Sequence, residues 1–358
     1  MLEGLRTTKC DAGQASFGAD GEGVVWAVAD SGVDGAHPHF RAHRNLIDLP
    51  DGLAHQDFTD GAESADDTGH GTHVAGIIAG AAADRHGTVA RRERDERGDV
   101  FFRAHEVAGL RGMAPKTKIV SLRVLGRGNH GLTSALLRAI AYVQDVNDSG
   151  RRLRVHGVNL SLGYEFDPEW FAAGQSLLCR EVDRLVRSGV AVVVAAGNTG
   201  HGHVDTDAKQ VVRAALSHTI NDPGNAALAL TVGSTHATSP HTYGVSYFSS
   251  KGPTGDGRAK PDLVAPGERI VSSASGALRA EAERRLGRDV HYVEQSGTSM
   301  AAPHVSGAIA GILSVRPEFI GQPERVKALL MATATDLGRD RSFQGAGLLD
   351  QMRAIQAV

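Results

Sequence analysis

Residues 295–313 read QSGTSMAAPHVSGAIAGIL, with Ser299 two residues after a glycine at the start of a helix of small residues. A serine hydroxyl becomes a useful nucleophile only if a base takes its proton, a third group orients that base, and donors await the oxyanion. The stretch therefore predicts three partners elsewhere in the chain. Asp30 ends the apolar run VVWAVADSG, His70 opens a second Ala/Gly helix in DDTGHGTHVAGIIAG, and Asn198 ends VAVVVAAGN. Each sits where a buried strand or helix meets a loop, which is where an open parallel sheet carries its chemistry.

The segments between these residues alternate. Lys118 opens the strand KIVSLRVL, followed by the helix SALLRAIAYVQDVN, the strand VHGVNLSL, the helix LLCREVDRLVRS and the strand VAVVVAA. ALALTVGST reads as a further strand and PERVKALLMATA as a helix with Pro at its first turn. Strands alternating with helices imply right-handed crossovers. The expected fold is α/β: a doubly wound, mostly parallel sheet with helices on both faces. Because the alternation runs through nearly the whole length, residues 1–358 are expected to form a single domain. Two stretches stand outside the rhythm. Residues 1–23 are polar and Gly-rich and are expected to wrap the surface. Residues 84–112 carry dense mixed charge and are expected to form an exposed, mobile excursion.

Composition narrows the function classes. The chain has 41% hydrophobic and 22% charged residues and a formal charge of −3, the balance of a globular domain with no electrostatic reason to bind nucleic acid. No apolar run reads as long enough to cross a bilayer, so no membrane partner is expected. Met1 is followed by LEGLRTTKCDAG, which lacks the charged start, apolar centre and cleavage site of a secretory signal. A cytoplasmic location is the expectation, or a secreted one if an upstream segment is missing. Cys10 and Cys179 are too few for a disulfide framework. They are read as two unpaired structural thiols, with a Cys10–Cys179 bridge as the alternative.

Five segments in order, AVADSGVDGAHP, GHGTHVAG, NLSLG, AAGN and SGTSMAAPHVSG, resemble those of subtilisin-like serine proteases, and the resemblance covers about residues 20–350. It implies a serine endopeptidase acting on protein or peptide substrates, with Ser299 as nucleophile, His70 as general base, Asp30 as its orienting partner and Asn198 as an oxyanion donor. Ser161, Leu162 and Gly163 resemble an edge onto which an extended peptide adds as a strand. Ala195, Ala196 and Gly197 resemble the opposite wall of the primary specificity pocket. No cofactor is implied by this set. In the family pattern an Asp after the HP of the first motif helps to hold calcium, but here His37 and Pro38 are followed by His39. The usual calcium site is therefore expected to be missing, leaving Asp205, Asp207 and Asp222 as a second place for such an ion or as a solvated loop.

Other readings of the same residues stand beside these. His73 and His304 suggest a metal pair, although a helix turn supplies only two ligands and His70 is committed to the nucleophile; core histidines are the simpler reading. Asp66 and Asp67 either give the cleft an acidic subsite or cap the helix at His70. A peptide-binding module on a catalytically dead fold would have lost a member of the Asp30, His70 and Ser299 set, and none is lost. Acyl transfer to an amine uses that same set and is separated from hydrolysis only by its product. Neither the oligomeric state nor the side-chain preference follows from the sequence.

Overall fold

The structure is a computed structural model describing residues 1–59, 66–82, 86–205 and 211–358, without the side chains of His86, Val204, Asp205 and Val211. Its centre is a seven-stranded sheet. The strands Leu263–Glu268, Leu230–His236, Ala191–Ala195, Gly157–Leu160, Val25–Asp30, Lys118–Arg123 and Gln56–Asp57 lie side by side in that order, and every neighbouring pair is parallel. Val25–Asp30 and Ala191–Ala195 are buried throughout, which explains their unbroken Val/Ala runs: in a sheet covered on both faces no alternate position meets water.

Two apolar layers cover the faces. One gathers the helices His70–Ile78 and Thr298–Val315 against Trp26, Val28 and Val193. The other packs Thr133–Val146 and Leu177–Arg187 against Val25, Ala27 and Val192. Thr298–Val315 is by length and composition apolar enough to cross a membrane, contrary to the sequence reading, but it is largely buried in the first layer. Gly307 and Gly311 let it come close: a β-carbon on Gly307 would stand 2.5 Å from the Met113 side chain and one on Gly311 2.7 Å from the Ala19 carbonyl.

Two further expectations need correction. Residues 1–23 do not merely wrap the surface. They form the helices Leu2–Thr7 and Cys10–Phe17, with Met1, Leu5 and Cys10 buried, and Gly4 lies against the His304 ring. Their inward face carries too few apolar residues to announce itself. Within the charged stretch 84–112 the described residues form a β-hairpin, His86–Arg94 paired with Val100–Ala108. Its first strand continues a second, four-stranded sheet through Tyr292–Gln295. Ala90 and Val293 are buried in a small core with Ala282 of the helix Gly276–Leu286, and the half-buried Phe102 packs on it. The charges pair across the outer face, Glu93 with Arg103 at 3.2 Å and with His105 at 2.9 Å; only the turn at 95–99 is exposed throughout. The polar loop after Asn198 contains a further hairpin, His201–Asp205 with Val211–Ala215.

Both cysteines are free and buried, Cys10 in the first apolar layer and Cys179 in the second.

Candidate active site

The carboxyl ends of three adjacent strands converge on one cleft. Asp30 ends Val25–Asp30, Ser161 follows Gly157–Leu160, and Asn198 lies three residues beyond Ala195. The chain leaves Val25–Asp30 toward one side of the sheet and returns to pair Gly157–Leu160 on its other side, so the cleft stands at a topological switch point. It has a volume of about 480 Å³, and His70, Ser161, Leu162, Gly163, Ala195, Gly197, Asn198 and Ser299 all line it. Ala196 does not. It is buried, its N–H bonded to the Val232 carbonyl and its carbonyl to the Asn221 N–H, so it lies behind the wall rather than in it.

His70 is the first residue of the helix His70–Ile78. Its Nδ1 lies 2.7 Å from Asp30 Oδ1, which also accepts from the Ser31 N–H at 2.8 Å. That approach requires Gly71: a β-carbon there would stand 2.1 Å from the Gly32 carbonyl and 3.1 Å from Asp30 Cβ. Burial opposes a charged His70 ring, but the charge and hydrogen bond of Asp30, with the charge of Asp66 behind it, prevail and raise its pKa above the ordinary 6.5.

Asp66 settles its own alternatives. It is buried and accepts from the Gly69 N–H, the Thr72 N–H and hydroxyl, and the Ser31 hydroxyl, all at 2.7–2.8 Å. These bonds satisfy first-turn donors and tie the helix start to the Asp30 turn. Burial nonetheless raises its pKa. Asp67 instead pairs with Arg123 at 2.9 Å.

Ser299 is the second residue of Thr298–Val315, and Pro303 lies four residues further on. Proline has no N–H to give the carbonyl four residues back. The Ser299 carbonyl accordingly accepts from the Ser161 hydroxyl at 2.8 Å, while the Ser299 hydroxyl donates to the Ser161 carbonyl at 2.9 Å. Ser161 Oγ is in turn held by Asn159 Nδ2 at 2.8 Å, and Asn159 Oδ1 by the Ser306 hydroxyl at 2.9 Å. The hydroxyl of Ser299 is thus engaged by Ser161 rather than by His70. Thr298 couples the third strand: its N–H and hydroxyl donate to Asn198 Oδ1 at 2.9 and 3.0 Å, and Gly197 N–H donates to the same hydroxyl at 3.2 Å. A backbone N–H can only donate, so Asn198 must turn its oxygen to Thr298 and keep its NH₂ for the cleft. Sequence reasoning overlooked Ser161's side chain, Thr298 and Pro303; a proline five residues inside a helix was the available signal.

The residues expected around calcium do not fit that ion. His39 is buried, its Nε2 lies 3.2 and 3.1 Å from the Gly76 and Ala79 carbonyls, and its Nδ1 lies 3.3 Å from the Tyr292 hydroxyl. Carbonyls only accept, so Nε2 bears the proton, and a donor occupies the place where a hard cation would need another oxygen. Burial lowers the pKa of His39 to about 3 and that of its neighbour His37 to about 4. His73 and His304 are likewise buried, bonded to the Val293 and Met300 carbonyls at 3.0 and 2.7 Å, and lowered to about 3. They are core histidines. Asp222 is buried and accepts from Asn225 Nδ2 at 2.8 Å; Asp207 and the Asp205 side chain lie outside the described residues. Among the described residues no group of three or more His, Cys, Asp or Glu side chains could hold a metal ion.

Residues 21–348 match the model of the subtilase family of peptidases. The chain is 29% identical over 344 residues to the serine protease AprX of Bacillus subtilis, covering 94% of this chain and 66% of that protein. It is 27% identical over 354 residues to subtilisin DY of Bacillus licheniformis, covering 99% and 98%. With the major intracellular serine protease of Bacillus subtilis it shares 31% over 359 residues, covering 98% and 87%. The chain therefore spans slightly less than two thirds of AprX and nearly the full length of the shorter relatives. A parallel sheet with Asp30, His70 and Ser299 at one carboxyl edge, matched from end to end by these proteins, has one family to belong to: the chain is a member of the subtilase family of serine endopeptidases.

Proposed function

We propose that the protein hydrolyses peptide bonds in extended protein segments through an acyl-enzyme intermediate, with Ser299 as nucleophile, His70 as base, Asp30 as its orienting partner and Asn198 in the oxyanion hole. The observation carrying this reading is the 2.7 Å bond from His70 to buried Asp30 in the cleft that also exposes Ser299. Rotation of the Ser299 side chain frees its hydroxyl from Ser161 and hands it to His70. As Oγ attacks the substrate carbonyl, its proton passes to the imidazole, and the carbonyl oxygen takes the negative charge toward Asn198 Nδ2 and the Ser299 N–H, a first-turn donor with no partner inside its helix. The imidazolium then protonates the leaving amine as the carbon–nitrogen bond breaks. Water, deprotonated by His70, releases the acyl group. The Ser161 carbonyl vacated by the rotation is available to a substrate N–H, so one movement arms the nucleophile and opens a strand-pairing position.

Residues 1–358 act in this reading as one peptidase unit without calcium at His39, on protein or peptide substrates and with neither nucleic acid nor a membrane. Treatment with a fluorophosphonate and location of the adduct tests it. Labelling at Ser299, with loss of peptide hydrolysis in a folded Ser299→Ala variant, is the expected result; hydrolysis persisting in that variant would overturn the assignment.

A further inference from the structure

Just beyond the cleft the chain keeps aromatic surface in water. Tyr164 follows Gly163 and still lines the cleft, but its N–H and its carbonyl are both bonded to Asp222 at 3.0 Å. Backbone pairing with a substrate strand therefore ends at Gly163, and a peptide running on past Tyr164 meets only side chains. Those side chains belong to residues 165–171, EFDPEWF, in which Trp170 is 78% exposed and Phe171 48%. The exposure is built into the turn. The half-buried Phe166 ring would stand 3.4 Å from a β-carbon on Gly255, and the Ala173 carbonyl accepts from Arg258 at 3.2 Å. Asp167 accepts the Phe171 N–H on its carbonyl at 3.2 Å and the Glu169 N–H on its side chain at 3.0 Å. One ring is turned inward as an anchor while two are left outside, the arrangement of a surface that another molecule covers.

The charge around the rings narrows what that molecule is. Residues 164–179 contain three acids, Glu165, Asp167 and Glu169, and no lysine, arginine or histidine. All three are exposed, and no base among the described residues pairs with them. A second copy of this surface would set acid against acid, and so would an anionic lipid headgroup. A strand with lysine or arginine between apolar residues satisfies the rings and the carboxylates together. Position supplies the rest. In the peptidase reading, on which this inference rests, residues 161–163 wall the pocket for the residue before the scissile bond. Ser161 is the end nearest the nucleophile, its carbonyl 2.9 Å from the Ser299 hydroxyl. The edge leads away from there to Gly163 and Tyr164, so the part of a substrate that reaches Trp170 lies on the amino-terminal side of the cut.

We propose that Trp170, Phe171, Glu165 and Glu169 form a docking surface outside the cleft for the amino-terminal continuation of a protein substrate, taking a segment in which lysine or arginine alternates with apolar residues. The contact is the same before and during reaction, so it acts on KM and leaves kcat unchanged. Covering an exposed tryptophan and its neighbouring ring is worth about 10-fold in affinity.

The chain has two tryptophans, and Trp26 is fully buried, so the emission of Ser299→Ala reports peptide binding at Trp170 without any chemistry. A peptide extended at its amino end by Lys-Leu-Lys-Phe should shift that emission to the blue and bind about 10-fold more tightly than the same peptide extended by Glu-Leu-Glu-Phe or Gly-Ser-Gly-Ser, with the advantage shrinking at high salt. In wild-type hydrolysis the lysine extension should lower KM by the same factor. Trp170→Ala, and the double variant Glu165→Gln with Glu169→Gln, should lose this gain while cleaving the unextended peptide as the wild type does. A blue shift with the lysine preference, but no hydrolysis by the wild type, leaves the docking surface standing and removes the peptidase reading. Hydrolysis with no gain from the lysine extension, an equal gain from the acidic one, or a gain that survives Trp170→Ala overturns the docking surface and leaves the peptidase reading intact. A blue shift that follows protein concentration without peptide, or that appears on adding phosphatidylcholine vesicles, assigns the rings to a second copy or to lipid and overturns the proposal as well.

Discussion

In the proposed mechanism Asn198 is useful because one end of it is already occupied. With Oδ1 fixed by two donors from Thr298, its amide N–H needs no reorganisation when charge develops in the cleft. Asn198→Ala should lower kcat by about 10²–10³-fold with little change in KM, a magnitude that comes from subtilisin itself; raised KM with normal kcat would assign it to ground-state binding instead. His70 makes a second prediction. The reaction needs its neutral form and its pKa is raised, so the acid limb of kcat/KM should lie above 6.5. Asp66→Asn removes one of the charges that raise it and should move that limb to lower pH, while opposing the Thr72 N–H with an amide and lowering the melting temperature. An unmoved limb in the folded variant would mean that Asp66 acts only as a cap. The meeting of Asp30, His70, Asn198 and Ser299 at one cleft was legible because chemistry asks for those residue types and motif supplies their context. The side chains of Ser161 and Thr298 were not, because a small hydroxyl acquires meaning only when the segments it ties together meet in space.

At the scale of elements, Pro303 turns a defect in the helix Thr298–Val315 into a junction. The carbonyl it leaves without a helical partner is the one that Ser161 holds. Pro303→Ala restores an N–H able to compete for that carbonyl, frees the Ser161 hydroxyl and loosens the position of Ser299. The loss of about 1 kcal/mol of positioning predicts a kcat/KM roughly 5-fold lower with the melting temperature nearly unchanged; unaltered kinetics would show the Ser161 bond to be incidental. The buried strands and the long helices were readable from unbroken apolar runs and helical spacing. The hairpin at 86–108 was not, since its outer face is charged and its inner face borrows apolar partners such as Ala282 and Val293 from nearly 200 residues away. The helix Gly276–Leu286, rich in Arg and Glu with Ala282 alone fully buried, escaped for the same reason.

For the whole molecule, buried imidazoles tie stability to pH. His37, His39, His73 and His304 accept protons in the folded state only near pH 3–4, whereas in the unfolded chain they do so near 6.5. Between these values the unfolded state binds more protons, so stability falls as pH drops below 6.5, by up to about 1.4 kcal/mol per pH unit for each histidine. His70 runs the other way: its raised pKa contributes stability that is present below 6.5 and lost as pH rises through the folded value. Burial lowers His43 and His156 as well, so among the described histidines one raised group stands against six lowered ones. Thermal unfolding of Ser299→Ala, which cannot digest itself, should therefore shift steeply downward from pH 7 to 5 and stay put on exchanging calcium for a chelator. A flat profile across that range would contradict the neutral core histidines, and a fall of many degrees on chelation would reveal a metal site.

The helices Leu2–Thr7 and Cys10–Phe17 carry a consequence for the order of events during synthesis. They rest on His304 and on residues 350–351: Gly4 meets the His304 ring, Gly13 meets Gln351, and Lys9 pairs with Asp350, 341 residues away. In synthesis these helices precede His304 and Asp350 by most of the domain, so they wait as unprotected chain until those partners have been made. The helix they wait for is the one that carries Ser299. Docking of the first helices and completion of that helix's support thus belong to one step, and until it occurs the proposed cleft stands on an unfinished base.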